Sequence, residues 1–527
     1  MRAHCFLLGS HNYYIIKTKL LTPLSANPNY SAIAMTQQES GRSNKTTSNQ
    51  LGIGIDFGTS NSAAAIFDGS KVHLVKLEDD SLIMPSATYV DRDYKIQTGQ
   101  RAIESYIQSN AGRTVELSAE VLGEQRSSTG QIGDHGLPEE ANTEKVYGQS
   151  FIDSGQEGRL FRGVKRLLAS NKEVKLMVFD KAFRIVALIT PLLVRIKAAI
   201  SYLLQEHLSY DEPTFHACIG HPVNFEGFQE NSSNTQAISL LSEAYTYAEF
   251  KNQTYYPEPI AASLSYLHEN PTTIDETLLT VDFGGGTLDL CILKRNAHDF
   301  EVLATHGIGL GGDHIDQQMF RKVIFPMLGK GERWVRDGED REIETIFPFE
   351  EYEELLLNWA ISYMLNQNKF TTPVIQRMNH GDNASVKFRR LYDLIKNNHS
   401  YLVFQHLRDL KIALSSQESA RLDIPELDIN TEITRIEFEK HISVQLEKFR
   451  LAVDYLLDKN DLLPEAIDSV IRTGGSCLIP AITNILDELF PEKVIEHNPF
   501  TSVATGLAIA NYRNLGKRPI HLGALES

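Results

Sequence analysis

The chain has 527 residues, 42% of them hydrophobic and 23% charged, the balance of a soluble globular protein too long for one ordinary domain, so two lobes or more are expected. A formal net charge of -17, with no basic run and no interleaving of basic and aromatic residues, argues against general nucleic-acid binding, although local amides can still hold one nucleotide. Cys5, Cys218, Cys291 and Cys477 are scattered as core thiols of a reducing compartment would be, and no apolar stretch is expected to approach the roughly 20 residues that span a bilayer, so a cytoplasmic protein without a membrane partner is expected.

Residues 1–50 read as a disordered tail or a misassigned start. The opening MRAHCFLLGSHNYYIIKTKLL lacks a signal peptide's continuous apolar core, which leaves a transit peptide or initiation at Met35 as the two readings. At 51–69, LGIGIDFGTSNSAAAIFDG gives an apolar strand, a Gly-Thr-Ser turn, a second apolar strand and a closing Asp68-Gly69 turn. The stretch 107–158, rich in Gly, Ser, Glu and Gln, reads as an insertion with some local helix. Thr190 and Pro191 look like an N-cap and first-turn proline, followed by Leu192, Leu193, Ile196 and Ile200 at helical spacing. A second hairpin follows at 278–293 in LLTVDFGGGTLDLCIL. Residues 326–400 read as mostly polar and helical, within a helical subdomain near 326–430. The segment SVIRTGGS predicts a buried strand and a Gly turn, with helices over 479–490 and 501–513.

The two hairpins echo each other, and this duplication suggests two lobes, 51–255 and 256–520, each offering a phosphate-facing loop to a common cleft. Gly58, Thr59 and Ser60 let backbone amides approach phosphate oxygens without Cβ obstruction, while the hydroxyls add donors. Asp56 repels phosphate unless a hard cation or its water shell lies between. Asp282, Gly284, Gly285, Gly286 and Thr287 repeat the arrangement, with Asp289 adding a carboxylate. Either loop alone reads equally well as a tight β-turn; the pair is more specific. No G-x-x-x-x-G-K-[ST] occurs, and the GIGLGG run at 307–312 matches G-x-G-x-x-G without a ribose-binding acid at the right distance. A helix starting near Asp313 would instead bring its N-terminus and these glycines to the nucleotide.

Taken in order, GIDFGTSNS, FRGVKRLLAS, YYPEPIAASLSYL, DFGGGTLDL, GLGGDHID, LKIALSS, ITRIEFEK and RTGGSCLIP resemble the nucleotide-binding domain of the seventy-kilodalton heat-shock chaperone (DnaK-like) family over about residues 51–515. The resemblance implies an α/β, actin-like ATPase fold, in which two lobes each carry a ribonuclease-H-like mixed sheet flanked by helices. It implies ATP or ADP with Mg2+ as ligands, and a K+ ion at Asp289 as an option. Asp56 and Asp282 would hold hydrated magnesium; Thr59, Ser60 and the turn from Gly284 to Thr287 would hold phosphates. Lys165 would reach the γ-phosphate, with Glu258 beside the same water network, and these two with Asp282 and Thr287 form the expected catalytic group. Gly311, Gly312, Lys411, Ser415, Gly474, Gly475 and Ser476 would surround ribose and adenine.

Departures from the family pattern qualify that expectation. Ile412 and Leu478 stand where it has arginines flanking adenine, Arg408 where it has a ribose-contacting glutamate, and Phe500 where it has an aspartate. Thr235 replaces an arginine that relays ATP binding to the substrate domain, while His221-Pro222 keeps the switch proline. The resemblance is to the shortened YegD-type members, so no peptide-binding domain is expected. The function it implies is slow ATP hydrolysis in a chaperone-like protein with a protein client or co-chaperone as partner. The rival expectations are a nucleotide-switched scaffold with little turnover and a small-molecule kinase of the same superfold.

Overall fold

Alternating small and branched apolar residues on either side of Gly-Thr-Ser fold as the period of two predicts. In a computed structural model, which describes residues 51–517 apart from 111–116, 128–141, 154, 156, 170–174, 180, 209–215, 226–231, 273, 297–299, 338–341 and 360, strands β1 (Gly52–Phe57) and β2 (Asn61–Phe67) pair antiparallel. Strand β3 (Val72–Leu74) extends this meander beside β2, while β4 (His216–His221) and β5 (Asn252–Pro257) add on the other side of β1 in parallel. The sheet order is β5-β4-β1-β2-β3.

The second half repeats the plan. Strands β6 (Glu276–Phe283), β7 (Leu288–Arg295) and β8 (Phe300–Ile308) form an antiparallel meander, and β9 (Ser469–Thr473) and β10 (Val494–Glu496) follow in parallel beside β6. The order β8-β7-β6-β9-β10 is that of the first sheet, so the duplication suspected from the two hairpins extends through five strands. This is the actin-like α/β architecture of two related mixed sheets.

Period-two alternation explains the layering. Ile53, Ile55 and Phe57 face helices α1 (Ile185–Leu208) and α2 (Ser232–Tyr247), while Ala63, Ala65 and Phe67 of β2 turn to the opposite face. That opposite face meets helix α3 (Glu258–Glu269) and the helix Ser502–Tyr512; Leu278, Cys291 and Leu293 of the second sheet close the same core from beyond. The far face of the second sheet carries the largest core, shared with α4 (Gly312–Met319), α5 (Ser400–Ser416) and α6 (Ser443–Asp458). Helix α7 (Ser502–Tyr512), which the sequence reading groups with 256–520, packs on β1, β2 and β4 of the first sheet. Just beyond it, Lys517 bridges to Tyr255 of β5.

Several expectations need correction. Helix α1 begins at Ile185, not at 190: the Thr190 hydroxyl donates to the Val186 carbonyl at 2.8 Å, and Pro191 lies inside the helix. The segment Ile185–Glu206 is also long and apolar enough to cross a membrane by length and composition, contrary to the first reading, yet Leu188, Ile189, Leu192, Leu193 and Ile196 are fully buried in the first-sheet core. Within 107–158 the helix Gln100–Asn110 ends early, and Leu117–Ser127 and Asn142–Asp153 pair as antiparallel strands. The 326–400 region holds the helices Glu350–Leu357, Asn368–Asn379 and Ser385–Lys396, preceded by a hairpin of Arg333–Asp337 with Glu342–Ile346. The alternatives for residues 1–50 lie outside the described residues.

Candidate functional site

The β1–β2 and β6–β7 turns face one another. Gly284 donates its amide to the Thr287 carbonyl at 3.0 Å, closing the second turn, and that turn presses Gly285 and Gly286 against Ser60 and Thr59 of the first. A Cβ on Gly285 would stand 2.8 Å from the Ser60 hydroxyl, so the approach leaves no room for a side chain there.

Helix α4 braces the second turn. Its Gly312 and Asp313 amides donate to the Gly284 and Gly285 carbonyls at 3.0 and 2.9 Å. These first-turn donors therefore hold the loop and do not point at a ligand, which changes the expected role of this helix start. Nor is the GIGLGG run a dinucleotide fingerprint, since the strand before it, β8, runs antiparallel to its neighbour. On the other side, Ser476 donates its hydroxyl to Gly284 at 2.9 Å, and Gly474, with φ at +81°, takes a turn that an L side chain rarely adopts.

Between the turns lies a cavity of about 390 Å³, within the usual range for small-molecule sites. Its wall brings together Asp56, Gly58, Thr59, Ser60, Lys165, Glu258, Asp282, Gly284, Gly285, Gly286, Thr287, Gly312, Lys411, Ser415, Gly474, Gly475 and Ser476. Two anticipated residues are off the wall. Gly311 is pressed against the backbone of Gly285, and Asp289 lies behind the turn, accepting from the Val223 amide at 2.9 Å. The departures line one end of the cavity: Ile412 and Leu478 are there, and the Phe500 ring lies over Gly475.

At the other end Lys165 is 4% exposed and Glu258 7%. The Lys165 Nζ donates to Glu258 Oε1 at 2.7 Å. Glu258 opens helix α3 directly after Pro257, where the helix dipole favours a carboxylate. Around this pair the acids are crowded. Burial, and then the Glu258 carboxylate, push Asp56 up to about 7 against the pull of Lys165. Burial, and then Asp289, Glu258 and Asp56, raise Asp282 well above the usual carboxylate range. Asp289 is likewise pushed up to about 7 by burial and Glu258, with its hydrogen bonds to Val223 and Thr287 opposing.

Four carboxyl groups thus share one ammonium in a site withdrawn from water, a donor set that a divalent cation would balance. Among the described residues no three His, Cys, Asp or Glu side chains converge closely enough to ligate an ion directly. A cation held through its water shell by Asp56 and Asp282 fits both observations.

The reading from sequence missed the polar residues beside the turns. Asp313 accepts from the Ser60 hydroxyl at 2.9 Å and from Arg166 at 3.2 Å, and Lys411 pairs with Asp316 at 2.6 Å. Burial works against the Asp313 charge, yet Arg162, Arg166, the Ser60 hydroxyl and Lys411 outweigh it and hold the carboxyl below its ordinary value. The adjacency of Arg162 and Arg166 to Lys165, and of Asp313 and Asp316 to the glycines, was the available signal.

Comparison with known proteins matches residues 142–329 and 384–516 to the family described as Hsp70 protein. Chaperone protein dnaK1 of Synechocystis sp. is 24% identical over 472 residues, spanning 87% of this chain and 53% of that protein. Chaperone protein dnaK of Emiliania huxleyi is 23% identical over 468 residues, with 87% and 59% covered, and that of Cyanidioschyzon merolae is 24% identical, with 87% and 61% covered. The chain spans somewhat over half the length of these relatives.

Proposed function

The chain belongs to the Hsp70 protein family, and from that premise we propose that it is a chaperone-like protein that binds ATP with Mg2+ in the cavity between its two lobes and hydrolyses it slowly. The observation that carries the reading is the pair of glycine turns meeting at one cavity beside the buried Lys165–Glu258 pair.

In this reading the turn amides and the Thr59, Ser60 and Thr287 hydroxyls hold phosphate oxygens, and Gly474, Gly475, Ser476, Lys411 and Ser415 hold the nucleoside. Magnesium, when bound through water by Asp56 and Asp282, supplies neutralisation of phosphate charge. Lys165 stabilises charge on the γ-phosphoryl group as the bond to the bridging oxygen breaks, while Glu258 fixes the ammonium and helps orient the attacking water. Burial of both side chains keeps bulk water from weakening these interactions. A protein client or co-chaperone is the macromolecular partner, and the cytoplasm the compartment, that fit the reading.

The test is Mg2+-dependent ATP hydrolysis by the purified chain beside Lys165→Ala, with nucleotide binding followed in parallel. Turnover in the parent that falls about 100-fold or more in Lys165→Ala, with binding retained, supports the ATPase reading. The apolar base end made by Ile412, Leu478 and Phe500 favours a second reading, a nucleotide-switched scaffold. Binding without turnover in the parent would put that reading first, and turnover that requires an added metabolite would replace both with a kinase.

A further inference from the structure

A second cavity, of about 220 Å³, opens beside the first and shares with it Thr59, Ser60 and three guanidinium groups, those of Arg162, Arg166 and Arg408. Within this charge cluster, Arg166 pairs with Asp313. Asp316, the other acid on the wall, is engaged by Lys411. The Asp313 charge also acts on Arg162, but neither Arg162 nor Arg408 forms a salt bridge among the described residues. The Arg162 Nε is buried with no hydrogen-bond partner among them, and its guanidinium lies over the Trp359 ring at 5.6 Å. Burial chiefly, and then the charges of Arg408 and Arg166, weigh against the cation at Arg162, with Asp313 opposing. The wall of this chamber carries three guanidinium groups and two carboxylates, an excess of positive charge in a protein of net charge -17.

A guanidinium partly withdrawn from water with its Nε unpartnered is costly, and planar guanidinium forks match the oxygens of phosphate. We propose that this second cavity is an anion subsite for inorganic phosphate, held by Arg162 and Arg408 and adjoining the place where the γ-phosphate is cleaved. The proposal rests on the ATPase reading for the source of its ligand, not for the site itself. Phosphate released in the main cavity enters the neighbouring chamber past Thr59 and Ser60, which belong to both walls. The subsite separates the product anion from ADP before either leaves.

Trp359 supplies the readout, since an anion drawing on Arg162 alters the cation over the ring. Inorganic phosphate is titrated into the full chain, without nucleotide and with ADP, following tryptophan fluorescence and calorimetric heat, for the parent, Arg162→Gln, Arg408→Gln and Lys165→Ala. The expected result is saturable binding to the parent and to Lys165→Ala, weakened about tenfold or more in both arginine variants while these still bind ADP. Arg408→Gln keeps the test sound should Arg162→Gln fold poorly. Equal phosphate affinity in the parent and the arginine variants overturns the proposal, as does binding abolished by Lys165→Ala alone, which would locate the anion at the γ-phosphate position. If the parent binds phosphate through the arginines but never binds ATP, the ATPase reading falls and the anion site remains.

Discussion

Asp56 and Asp289 occupy positions where the folded chain holds protons that the unfolded chain gives up. Both are pushed up to about 7 from an ordinary 3.8. Between those values the native state binds more protons than the unfolded state, so each group makes stability fall as pH rises through that window, with the full penalty present above pH 7. Asn at position 289 imitates the protonated form without titrating. In nucleotide-free and Mg2+-free buffer, Asp289→Asn should therefore gain stability relative to the parent between pH 5 and pH 8, read from urea midpoints. Parallel behaviour of the two proteins across that range would show that Asp289 is not proton-loaded. At this scale the glycines and Lys165 were legible because they sit in contiguous motifs. Asp313 was not: its importance comes from Ser60 and Arg166, which lie 253 and 147 residues away and meet it only through the fold.

Helix α7 shows what periodicity leaves open. Every residue of it from Ser502 to Asn511 is buried, so an apolar stripe does not exist to tell which sheet it covers. The helix was legible at 501–513, its place on β1 was not. Small residues explain that place: Gly52 and Gly54 of β1 receive α7 at Ala504 and Ala508, and Gly506 receives α3 at Ala261. A Cβ on Gly506 would run into the Ala261 carbonyl oxygen, part of a backbone with no flexible end to yield. The better helix propensity of alanine, about 1 kcal/mol, is then outweighed by overpacking. Gly506→Ala should destabilise the protein by about 1–3 kcal/mol, seen as a lower denaturation midpoint with unchanged slope. A stabilised variant would mean the two helices separate more easily than their packing implies. Helix α1 teaches the converse, since Thr190-Pro191 has the chemistry of a helix start, yet an internal threonine can return its hydroxyl to the carbonyl four residues back.

The repeated five-strand order makes the molecule two related halves, and its hairpin echo announced this in the sequence. What the echo does not disclose is how the halves are tied. Helices α3 and α7 fill the core between the sheets, whereas Asp313 ties the turns themselves. Through it Ser60, from the first sheet's hairpin, and Arg166 are joined to the start of α4 behind the second sheet. Hydrogen bonds to a charged group contribute about 1.5–3 kcal/mol each, enough to shift an opening equilibrium tenfold or more. Asp313→Ala should therefore speed amide hydrogen exchange at 58–61 and 284–287 in the nucleotide-free protein by about tenfold or more. Exchange in the central residues of β1 and β6 should stay as it is, because those amides are protected by the sheets. Unchanged exchange at both turns would mean that the packed helices alone hold the halves together. Acceleration confined to the turns would identify Asp313 as the tie at the mouth of the cavity, acting independently of the core that joins the two sheets.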